Sequence, residues 1–100
     1  MTEPLTVHVD ADLEDLIPTF MQRRRDEVAV LRERLAGDEF DMIRIMGHTL
    51  KGTAGGYGFE QLSQIGAAME KAAMQEDAAT IEACANEMED YLDRVQVQYR

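Results

Sequence analysis

The sequence predicts an all-α fold, an up-down antiparallel four-helix bundle led by a short additional N-terminal helix, and three observations point there. Apolar residues recur at three-to-four spacing through four blocks, which is the period of a helix with one buried face. Ala, Leu, Met, Glu and Arg dominate, whereas aromatic residues make up only 6% of the chain and there are only 2 prolines. The connections between blocks are two to five residues long, which places successive helices antiparallel. At 100 residues the chain suits one domain with one core.

The elements follow in order. After an irregular start, Asp10 is placed to cap a short helix over Ala11 to Leu16, and Pro18 fits the first turn of the next. That first long helix carries Ile17, Phe20, Met21, Val28, Leu31 and Leu35 on one face and runs to about Ala36. Gly37 reads as its stop and Asp38 as the N-cap of the second long helix, which starts near Glu39. Phe59, Leu62, Ile65, Met69, Ala72 and Ala73 give the third long helix its apolar face. Asp77 caps the fourth, whose stripe is Ile81, Cys84, Ala85, Met88, Leu92 and Val95.

Charge and cysteine usage narrow the function. A net charge of −10 repels a phosphate backbone, so nucleic acid is not expected as a partner. The single cysteine, Cys84, permits no internal disulfide, and on the core stripe it acts as a small hydrophobe. No apolar run of 18 residues and no charged-then-apolar leader is present, so the expectation is a soluble, cytoplasmic monomer without a membrane segment.

The second long helix contains the unusual stretch, Met46 to Gly58, with five glycines, one histidine and one lysine. Projected at about 100° per residue from Ile43, the residues Phe40, Met46, Gly47, Leu50, Ala54 and Tyr57 fall within about 60° and form the buried arc. His48 lies at about 140°, Gly55 at about 120°, Gly52 at about 180°, Ile45 at about 200° and Gly56 at about 220°, so the imidazole points outward. Three helical glycines at 52, 55 and 56 would together forfeit about 2–3 kcal/mol relative to alanine. Either the helix ends near Gly52 and a flexible loop follows, or the helix continues and its glycines clear a bare patch around His48. Arg44 and Ile45 below the histidine, with Lys51 and Gly52 above it, share that surface, because residues three and four apart are neighbours.

The run His48-Thr49-Leu50-Lys51-Gly52-Thr53-Ala54, followed by Tyr57-Gly58, resembles the histidine phosphotransfer (HPt) motif H-x-L-K-G-[S/T]-[A/S]-x-x-[apolar]-G. The resemblance implies one HPt domain over residues 1–100 and a carrier without its own kinase or ATP site. Carried over by position, it makes His48 the phosphoryl acceptor and Lys51 the positive partner of the phosphoryl group. Gly52 becomes the spacer that admits the partner; the helix-surface reading adds Arg44, Ile45, Gly55 and Gly56 around it as docking residues. Thr53 stands where the family often has serine, and Gly47 where it often has alanine. The implied partners are a response-regulator receiver domain, a hybrid sensor histidine kinase, or both. No cofactor is expected in this chain, and Mg²⁺ is expected on the receiver.

The chemistry of the residue types agrees with that role. A free imidazole titrates near 6.5 and a lysine amine near 10.4, so near neutral pH the imidazole is the group with a lone pair for phosphorus. Phosphoryl transfer needs positioning and charge neutralisation more than many covalent helpers. A P-loop needs Gly-Lys-[Ser/Thr] after a strand, whereas here Lys51 precedes Gly52 on a helix. His8 and His48 lie far apart with no ligand spacing, so no metal site is expected. His8, before the first helix, reads as a partly exposed packing residue. Glu87, Glu89 and Asp90 read as a solvated face. Arg23, Arg24 and Arg25 read equally as solvated side chains, with Arg24 snorkelling at the core edge, or as part of a partner surface. An acyl carrier needs a serine at a helix start, and the only serine, Ser63, is inside a helix. The remaining rival is a non-catalytic helical interaction module in which His48 is idle.

Overall fold

The computed structural model of the protein describes residues 3–100. Four helices form the bundle: α1 (Ile17–Ala36), α2 (Phe40–Tyr57), α3 (Glu60–Met74) and α4 (Ala78–Arg94). The apolar stripes meet in one core, in which Leu31, Ile43, Ala54, Phe59, Leu62, Ile81 and Ala85 are fully enclosed. Cys84 lies in that core, as its place on the α4 stripe predicts. Asp77 caps α4, accepting from the Thr80 N–H at 3.1 Å, and Asp10 caps the leading helix through the Asp12 N–H at 2.9 Å.

The ends of the chain differ from expectation. The start is not irregular: Leu5–Val9 is a strand, β1, and Val95–Tyr99 is a second, β2, paired parallel with Leu5 opposite Val95 and Val9 opposite Tyr99. Both segments alternate, Leu-Thr-Val-His-Val and Val-Gln-Val-Gln-Tyr, so one ribbon face packs on the bundle while Thr6, His8, Gln96 and Gln98 face solvent. Val95 therefore leaves the α4 stripe and begins β2, and His8 is exposed, not partly packed. The leading element, Ala11–Leu16, is a 3-10 helix joined directly to α1.

The α1–α2 turn is also built differently. Asp38 is not the N-cap of α2; it takes a left-handed backbone, φ 54°, and Glu39 holds the cap position without a side-chain hydrogen bond. The α2 helix runs unbroken through Gly52, Gly55 and Gly56 and stops at Gly58, whose φ of 92° is the left-handed stop that glycine tolerates best. Of the two readings of the glycine-rich run, the continuous helix is the observed one.

The closest approach in the bundle is between α2 and α3. A Cβ on Gly47 would lie 2.5 Å from the Glu70 backbone nitrogen and 2.7 Å from the Gly66 carbonyl oxygen. A Cβ on Gly66 would lie 2.6 Å from the Lys51 nitrogen. Two glycines thus let the backbones touch, and Ser63 pins the seam by donating from Oγ to the Lys51 carbonyl at 2.8 Å. Gly47, where an alanine is common in the motif, is a position that a methyl group does not fit here.

Candidate functional site

The outward face of α2 carries the site. Ile43, Gly47, Leu50 and Ala54 are buried, Phe40, Met46 and Tyr57 are half-buried, and His48 stands on the opposite side with 68% of its side chain exposed. Lys51 follows one turn later, its side chain 42% exposed.

What the sequence reading lacks is Glu70. This residue, on α3 just after the core residue Met69, brings the two predicted groups together. One carboxylate oxygen lies 2.9 Å from His48 Nδ1, and the other accepts from Lys51 Nζ at 2.8 Å. The Lys51 hydrogen bond is the main reason the Glu70 carboxyl titrates below its ordinary range; partial desolvation opposes that shift, and the His48 bond adds to it. An ionised carboxylate only accepts, so the imidazole nitrogen facing it carries the hydrogen. In the neutral ring that tautomer puts the lone pair on Nε2, and the carboxylate restrains the ring's rotation.

The surroundings of the imidazole are bare. A Cβ at Gly52 or Gly56 would meet nothing within 4 Å, and both residues are exposed. Ile45 is 55% exposed and Arg44 is exposed, both in the turn before His48. Gly55 turns toward the α2–α3 seam, where a Cβ would lie 3.4 Å from Ser63 Oγ. The face therefore combines an oriented imidazole, a lysine, an apolar side chain and two gaps.

The three arginines of α1 divide. Arg24 is buried, with its guanidinium 4.8 Å from the Phe20 ring centre and paired to Glu27 at 2.7 Å, so it is more deeply set than an edge-snorkelling side chain. Arg23 and Arg24 line a cleft with Thr53 and with Thr49, the residue after His48. Arg25 turns the other way, toward Glu89 and Asp93 of α4. Glu89 and Asp90 are exposed and pair with Arg32 and Arg94. Among the described residues, no helix is long and apolar enough to cross a membrane.

A family model described as Hpt domain matches residues 15–98, which takes in all four helices and the seam that holds Glu70. No curated protein and no solved structure gives a match.

Proposed function

Because the chain belongs to the Hpt domain family, whose general role is histidine phosphotransfer in two-component signalling, we propose that His48 is its phosphoryl acceptor. The group it carries passes between receiver-domain aspartates, or from a hybrid kinase to a response regulator. The observation that carries this reading is the single geometry in which Glu70 holds both His48 Nδ1 and Lys51 Nζ while 68% of the imidazole side chain stays exposed.

In the transfer step the Nε2 lone pair attacks the phosphorus of an aspartyl phosphate. An N–P bond forms, the P–O bond to the aspartate breaks, and its electron pair returns to the receiver as a carboxylate. The ring keeps its Nδ1 hydrogen and becomes cationic, and the Glu70 carboxylate offsets that charge, as a buried acid does for an imidazolium in an acyl-transfer triad. Lys51, one turn along α2, is in reach of the phosphoryl oxygens and neutralises part of their charge. The chain contributes the nucleophile, its orientation and one cation. Mg²⁺ and the aspartate that gives or takes the phosphoryl group belong to the receiver. Gly52 and Gly56 leave room for that partner, with Ile45 and Arg44 at the edge of the docking face.

The test is phosphoryl uptake from a panel of phosphorylated receiver domains, with wild type beside His48→Gln. The variant should lose labelling while its helicity and melting stay within about 0.5 kcal/mol of wild type, since an exposed side chain is replaced. Labelling retained by the variant would remove His48 from the role, and absence of uptake by the wild type from every receiver would favour the idle interaction module.

A further inference from the structure

The open side of α2 has a direction. Around the helix from Ile43, Lys51 lies at about 80° and His48 at about 140°, on the side where α3 brings in Glu70. Past His48 come Gly52 at about 180°, Ile45 at about 200° and Gly56 at about 220°, then Thr49 at about 240° and Thr53 at about 280°. The two threonines belong to one wall of a cleft of about 470 Å³, and α1 forms the other. The bare strip at Gly52 and Gly56 therefore leads away from α3, across α2 and into the α1–α2 cleft.

The cleft suits an acidic partner with some apolar surface. Of its two arginines, Arg24 is committed, being buried and paired with Glu27 at 2.7 Å. Arg23 is exposed, and among the described residues it is in no ion pair. The carboxylate on the lining, Asp15, is exposed and lies at the Leu16 end of the cleft, eight residues before Arg23. Large apolar side chains border the same path: Leu16 is 50% exposed, Met42 43% and Ile45 55%. Exposed apolar groups beside an unpaired arginine are the composition of a protein interface. A receiver that holds Mg²⁺ and an aspartyl phosphate has a carboxylate-rich mouth. The net charge of −10 repels such a mouth over most of this chain, and Arg23 attracts it.

Resting on the reading of His48 as phosphoryl acceptor, we propose that the receiver's footprint runs from His48 over Gly52 and Gly56 into the α1–α2 cleft. There Arg23 pairs with a carboxylate at the rim of the receiver's phosphorylation site and discriminates among receivers. It acts on docking and not on the chemistry.

The test uses a receiver that exchanges phosphoryl groups with the wild type, and the full chain carrying Arg23→Glu, Gly56→Gln or Arg25→Glu. The last makes the same charge change on the side of α1 that faces α4, and is the control. Receiver binding should weaken about tenfold in Arg23→Glu, by a factor that shrinks as salt rises, and stay within about twofold of wild type in Arg25→Glu. Gly56→Gln should also bind more weakly while melting no lower than wild type, since its side chain fills the strip and glutamine is the better helix former. Amide NMR of the complex should show shifts at Thr53, Arg23 and Thr19, and none at Lys71 or Met74 of α3. Labelling by phosphoramidate, a small donor that phosphorylates imidazoles with loss of ammonia and requires no docking, should reach His48 of Arg23→Glu at the wild-type rate. Undiminished receiver binding in Arg23→Glu or Gly56→Gln overturns the footprint. So does an equal loss in Arg25→Glu, slowed phosphoramidate labelling of Arg23→Glu, or shifts confined to the α3 side. Absence of His48 from the positions labelled in the wild type would instead fail the acceptor reading, so the two failures are told apart.

Discussion

Alanine at two glycines of the same helix should move stability in opposite directions. At Gly52 the new methyl meets nothing within 4 Å, so only the backbone preference changes, and alanine is better than glycine by about 0.8–1 kcal/mol. In a domain of this size that raises Tm by roughly 3–8 °C. At Gly47 the methyl would sit 2.5 Å from the Glu70 nitrogen, 2.7 Å from the Gly66 oxygen and 2.9 Å from the Glu70 Cα, all of them backbone atoms that no rotamer change removes. The helices must separate by about 1 Å to restore ordinary contact, and overpacking of this kind costs about 1–3 kcal/mol, enough to outweigh the gain in helix preference. The expected net is a loss of up to about 2 kcal/mol. The same displacement carries Glu70 away from His48 and Lys51, so phosphoryl uptake should fall too. Urea unfolding of both variants with a common slope measures the difference. Equal stability of the two would refute backbone contact at the crossing, and a less stable Gly52→Ala would refute a helix running through residue 52. Gly52→Gln extends the comparison to function, keeping or raising stability while its long side chain blocks the receiver.

Two further outcomes are expected. Lys51→Ala should keep the fold but slow transfer or shorten the life of the phosphohistidine, because the ammonium no longer offsets charge on the phosphoryl oxygens; rates and lifetime equal to wild type would make Lys51 a bystander. For Glu70, the folded carboxyl titrates below its ordinary 4.5, so its contribution to stability is present above that value and is lost as pH falls through the folded one. The stability gap between wild type and Glu70→Gln, followed by urea unfolding from pH 7 downward, should therefore shrink in acid, and a gap that widens would contradict the ion pair.

Local signals were sufficient for the helices and for the face of α2. The stripes put Ile43, Leu50 and Ala54 inside and His48 outside, because one turn of helix fixes which residues share a side. The ribbon was harder. Each strand has only five residues, and its partner lies about ninety positions away in the chain. Val95 also sits three residues after Leu92, where it extends the helical stripe as well as it opens a strand. Only the matching alternation of both ends, Leu5-Thr6-Val7 against Val95-Gln96-Val97, separates the two readings, and a single short alternation is a weak signal. Asp38 failed for a different reason: asparagine and aspartate serve both as N-caps and as left-handed turn residues, so the residue type alone does not choose.

Glu70 is the site residue that no local pattern marks, since a glutamate followed by Lys71 beside a core methionine looks like any solvated helix face. Its role follows from the seam. Two antiparallel helices that meet backbone to backbone must do so where both lack side chains, and on the facing sides of α2 and α3 only Gly47 and Gly66 meet that condition together. Setting those glycines against each other fixes the register: Gly55 comes opposite Ser63, Lys51 opposite Gly66, and Gly47 beside Gly66 and Glu70. The residue after Gly47 is His48, so the same register delivers the Glu70 carboxylate to the imidazole and, one turn on, to the lysine. The glycines of this stretch thus divide by task. Gly47, with Gly66, brings the carboxylate in, while Gly52 and Gly56 keep the opposite side open. A substitution at the first pair acts on the orientation of His48, and one at the second acts on who can reach it.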